Sequence, residues 1–135
     1  MTVMNWLLNS EEPWTRYHAL VDLLGVSPSD PEVEETRRAM LQHASVRDLI
    51  SRAGTWGTMP IKRHNDASHA LYAISTLADF GLHRNDSGMD DVISSILAHR
   101  SPEGILQSLI NIPRTFGGDD TDRWTWSLCD APTLL

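Results

Sequence analysis

Cysteine is almost missing from this chain: Cys129 stands alone among 135 residues. An internal disulfide is thereby excluded, and a reducing, cytoplasmic setting is expected. Positive charge is scarce too, with 11 Lys and Arg against 18 Asp and Glu and a formal charge of −7. That balance argues against nucleic acid or an anionic membrane as partner, since both call for a basic surface. No apolar run reaches membrane-spanning length. The opening MTVMNWLLNSEEP lacks a basic n-region, so no signal peptide is expected. Strand signals are nearly absent, which leaves helices to build the core.

What is present is helical spacing, over one domain's worth of chain. Ser10 is placed to cap a helix with Glu11, Glu12 and Pro13 in its first turn. Trp14, Tyr17, Leu20, Val21 and Leu24 then share a face, and Gly25 closes it. Asp30 caps a second helix with Pro31 just inside, and Val33, Met40 and Leu41 form its apolar stripe, interrupted by Arg37. Ser45 starts a third, with Val46, Leu49, Ile50 and Ala53 inward. Residues 54–66 read as a loop broken by glycine and proline. Ala70, Leu71, Ile74, Leu77 and Ala78 mark the next helix, and Met89, Val92, Ile93, Ile96 and Leu97 the one after. Residues 99–128 read as irregular, with at most a helical turn near Ile105 to Ile110, and Asp130 is placed to cap a final turn.

Two segments match when one is shifted by 56 positions, the distance from Gly25 to Gly81. Each glycine is followed five positions later by an aspartate, Asp30 or Asp86. Val21 tracks with Leu77, Val33 with Met89, and Met40 with Ile96. The units, about 10–56 and 66–106 with an incomplete third from 129, predict helical hairpins stacked as a solenoid or closed ring.

The runs WLLNSEEPWTRYHALVDLLG, RAGTWG, SHALYAISTLADFGL, ILAHRSPEGILQ and CDAPTLL resemble a bacterial branch of proteins related to squalene and terpenoid cyclases and to protein prenyltransferase β-subunits. The resemblance implies an all-α fold, antiparallel hairpins forming a partial α/α toroid, with a HEAT-like solenoid fragment as the alternative. It covers about a third to a half of a full ring, so it implies the N-terminal portion of a longer protein. Open helix faces are then expected to be covered by a second copy, making a homo-oligomer. A complete ring would admit an apolar small molecule.

The same resemblance directs attention to particular residues. Class II cyclases protonate their substrate from a D-x-D-D motif, in which one carboxyl is kept neutral. Here Asp119, Asp120 and Asp122 stand in the order D-D-x-D after two glycines. The plainer reading is a solvated loop with Asp122 near Arg123. The magnesium motif D-D-x-x-D fails because Arg123 holds its last position. For zinc, which prenyltransferases hold with Asp, Cys and His, the candidates are His64, His69, Cys129 and Asp130, against a helix cap and a small buried cysteine. Trp56, Trp124 and Trp126 are candidates to line a cavity through their π faces, or to pack at turns. Neither zinc nor magnesium is assigned. The function expected is a non-catalytic helical-repeat module for self-assembly or partner binding. The alternative is a fragment of a terpenoid-cyclase-like or prenyltransferase-like enzyme, or an apolar-ligand-binding protein.

Overall fold

A computed structural model describes residues 2–63 and 66–134. The chain divides into two compact units, 1–48 and 49–135. The elements are α1 (Val3–Leu8), α2 (Pro13–His18), α3 (Pro31–Gln42), α4 (Ala44–Ala53), α5 (Ala70–Asp79), α6 (Met89–Leu97), β1 (Ser108–Asn111) and β2 (Asp122–Thr125).

In the first unit, α2 starts at Pro13 rather than at Glu11. Ser10 accepts the Glu12 N–H at 3.2 Å, ahead of the helix instead of inside its cap. The helix then widens into a π turn over Ala19–Leu23, where Leu24 N–H reaches back to the Ala19 carbonyl at 3.1 Å. A π turn inserts one extra residue, which rotates everything after it off the preceding face. Tyr17 and Leu20 therefore join Val33 in the core, whereas Leu24, expected on the same stripe, is exposed. Gly25 does close the helix, at φ +64, with Val26 N–H donating to the Leu20 carbonyl at 2.9 Å. Asp30 caps α3 by accepting the Glu32 N–H at 2.9 Å. Arg37 interrupts the apolar stripe of α3 and lies over the Tyr17 ring, 5.6 Å from its centroid, as a cation–π contact. His43 takes the Ser45 N–H at 3.2 Å, so the imidazole precedes α4 as an acceptor rather than bonding carbonyls at the end of α3.

The second unit overturns the all-α expectation, and with it the partial toroid. β1 and β2 pair antiparallel, Ser108 opposite Thr125 and Asn111 opposite Asp122, where an irregular stretch with a helical turn was expected. Ile61 adds a parallel bridge to Ile110, giving β1 a neighbour on each side. The partners lie far apart in sequence and each strand holds four residues, too few to display a period. The buried faces of α5 and α6 match their stripes: Leu71, Ile74, Leu77, Met89, Val92 and Ile96 are all buried. Ala78 and Leu97 are exposed. The repeat holds at Gly81, φ +78, but not at Asp86. Gly88 occupies the cap position of α6, and the Asp86 carboxylate instead accepts the His83 N–H at 2.6 Å. The final turn, Ala131–Leu134, is a 3-10 helix lying against α5.

Candidate functional site

The acidic run lies in the connection between β1 and β2. Proline and glycine shape this connection: Pro113 leads into a 3-10 turn over Arg114–Phe116, and Gly117 ends it at φ +84. Gly118 comes so close to the chain before the turn that a Cβ would sit 1.8 Å from the Ile112 carbonyl oxygen. The carboxylates then stitch the loop together. Asp119 accepts the Thr121 N–H at 3.1 Å and pairs with Arg123. Asp120, at φ +61, accepts the Arg114 N–H at 3.1 Å and pairs with its guanidinium at 3.2 Å. Asp122 accepts from the buried Asn111 amide at 2.6 Å, and the same amide donates to the Asp120 carbonyl at 3.1 Å. Arg123 thus pairs with Asp119, four residues away, while its neighbour Asp122 is held by Asn111.

For Asp119 this arrangement is the opposite of what an acid catalyst needs. A general acid must hold its proton, which takes burial or a neighbouring negative charge. All three side chains are exposed. The Arg123 hydrogen bond, followed by the Thr121 N–H, holds the Asp119 carboxyl below the ordinary aspartate range.

Two of the zinc candidates, His69 and Asp130, are engaged in local hydrogen bonds. His69 caps α5: its Nδ1 accepts the Leu71 N–H at 3.1 Å, and its Nε2 lies 3.0 Å from the Met59 carbonyl. A carbonyl only accepts, so Nε2 carries the hydrogen and both ring nitrogens are engaged. Cys129 is exposed rather than buried. Asp130 is buried and accepts from the Ser127 hydroxyl at 2.6 Å. His64 lies outside the described residues. Among the described residues, no three His, Cys, Asp or Glu side chains converge.

Two of the three tryptophan candidates meet. Trp56 and Trp124 have ring centroids 6.2 Å apart, and Trp124 stacks flat on His99 at 3.4 Å and 4°. Gly57, at φ +80, makes room: a Cβ there would touch the Trp124 ring at 3.1 Å. Trp126 stands apart from these contacts and is 40% exposed. The pair is thus packed on its neighbours rather than lining one of the cavities described below.

The cavities lie elsewhere. A recess of about 280 Å³ sits inside the acidic loop, lined by Ile110, Ile112, Gly117, Gly118, Asp119, Arg123 and Thr125. Two larger ones, of about 470 and 380 Å³, adjoin each other and share Lys62 and Arg63. Met59, Pro60 and Asp66 complete the first, and Ile61, Ile110, Asn111, Ile112, Pro113 and Phe116 complete the second. Met59 is 64% exposed and Phe116 75% exposed, so the face is apolar as well as basic. Lys62 is the only lysine in the chain. Its side chain and that of Arg63 are exposed and pair with no carboxylate among the described residues. Asp66, at the rim, is occupied by Ser68, whose hydroxyl and N–H hold its carboxyl below the ordinary range. The sequence carried a signal for this face: the sole lysine, next to an arginine, follows Met-Pro-Ile in a chain of charge −7.

No protein-family model, no curated protein and no solved structure matches the chain. No helix among the described residues is long and apolar enough to cross a membrane.

Proposed function

We propose that the chain is a non-catalytic binding module whose partner docks on the face formed by residues 59–63 and 110–116. The observation that carries this reading is the pair Lys62 and Arg63. These exposed cations have no carboxylate partner among the described residues, and they border both recesses beside Met59, Ile112 and Phe116. Contiguous exposed apolar surface rimmed by polar residues marks interaction sites. The carboxylates of Asp119, Asp120 and Asp122 support the same reading, because their hydrogen bonds fold the loop.

The test is selection of randomised peptides against the folded chain, repeated with a Phe116→Ser variant. Peptides that bind the parent and lose affinity for the variant are expected. Failure to enrich any peptide, or binding that ignores Phe116, refutes the module. Sedimentation of the chain alone decides whether the occupant is a second copy, as the expected homo-oligomer would have it.

A further inference from the structure

Within the 59–63 segment, two backbone groups beside Ile61 are unpaired among the described residues. Ile61 directs both its polar groups at β1, donating to the Leu109 carbonyl at 2.8 Å and accepting the Asn111 N–H at 3.1 Å. Along an extended chain, successive residues present these groups to opposite sides. Across the two trans peptide bonds that flank Ile61, the Pro60 C=O and the Lys62 N–H therefore point away from β1, and neither is paired within the chain among the described residues. Proline commonly blunts a sheet edge by withholding a donor. Here it withholds little. A strand laid alongside can donate to the Pro60 carbonyl and accept from the Lys62 N–H, repeating outward the bridge that Ile61 makes inward.

Resting on the binding-module reading, we infer that the occupant of this face is an extended acidic peptide segment of a partner protein, added as a strand beside Pro60–Lys62. Backbone pairing supplies register, and the two recesses bordered by Lys62 and Arg63 receive apolar side chains of the added strand. Lys62 and Arg63 select carboxylates. On a chain of charge −7 they are a local exception, so a negative partner is repelled elsewhere and steered to this edge. A lipid or detergent tail would use the apolar floor but leave the backbone groups unpaired, which is why a peptide is the better fit.

The experiment is fluorescence anisotropy with a labelled peptide alternating glutamate and valine. It is compared with a lysine–valine counterpart and with a glutamate–valine peptide N-methylated on alternate residues. Saturable, salt-sensitive binding of the first is expected, with none for the other two. The exposed double variant Lys62→Glu/Arg63→Glu should weaken it about tenfold, and Lys62→Gln/Arg63→Gln by less. Equal binding of the N-methylated peptide overturns strand addition, and preference for the lysine peptide overturns the charge assignment. Two further results overturn the inference. One is no binding of the acidic peptide while selected peptides still depend on Phe116, which leaves the binding module standing. The other is charge-dependent capture by anionic vesicles, or a dimer lost in the double variant, in place of peptide binding.

Discussion

Gly118 offers a direct test of the loop that carries Ile112, Pro113 and Phe116 to the proposed docking face. Its φ lies outside the left-handed region, so on backbone conformation alone alanine would be permitted. Space forbids it: a Cβ would lie 1.8 Å from the Ile112 carbonyl oxygen and 2.5 Å from its carbon. These are backbone atoms, so no rotamer change relieves the overlap. The loop must open. Two bonds are at risk, Gly118 N–H to the Pro113 carbonyl and Asp120 N–H to the Ile112 carbonyl, both 3.2 Å. At about 1 kcal/mol each, plus the strain of reshaping the connection, Gly118→Ala should destabilise by about 2–4 kcal/mol. Gly117→Ala is the control. It has open space but sits at φ +84, so it should cost only about 1 kcal/mol, the price of left-handed backbone. Urea unfolding with a shared m-value measures both. Gly118→Ala within about 0.5 kcal/mol of the parent, or a larger loss at Gly117, refutes the close approach.

Three further outcomes follow from particular side chains. Ser108 is 1% exposed and its hydroxyl has no partner among the described residues, so Ser108→Ala should leave stability unchanged or raise it by up to about 1 kcal/mol in the same urea titration. His69→Ala should cost about 1 kcal/mol through loss of the α5 cap, and nitrogen-15 spectra of the parent should report the Nε2-protonated tautomer. For Asp119, whose folded value is depressed by Arg123, the stabilisation is present above the ordinary aspartate range and is lost as pH falls through the folded value. Carbon-13 titration of its carboxyl should give a midpoint below that of a free aspartate, and Arg123→Ala should raise it.

The helices were legible because their signals are local. Asp30 before Pro31, Gly25 after an apolar stripe, and Met89 through Ile96 each place an element from a few neighbouring residues. The phase error at Leu24 came from a turn type that leaves no mark on the residues: a π turn and an α turn use the same side chains. The sheet was missed because Ser108–Asn111 is stabilised by chain segments near residues 61 and 124, and neither four-residue strand announces itself alone. Trp124-Thr125-Trp126 held the available hint, two aromatics flanking a β-branched residue. The acidic run was visible as a cluster, but its role depends on Asn111 and Arg114, which reach it only once β1 and β2 have paired. Lys62 was readable as unusual by count, and it and Arg63 enter the proposed site only because the bridge at Ile61 places them beside β1.

That single lysine has a practical consequence. Apart from the α-amino group, Lys62 is the only aliphatic amine in the chain. An acyl donor or amine-reactive cross-linker therefore labels the face at one atom, without engineering. Acetylation there would remove one of its two cations while leaving the backbone edge intact, so one covalent reaction separates the electrostatic from the hydrogen-bonding share of recognition.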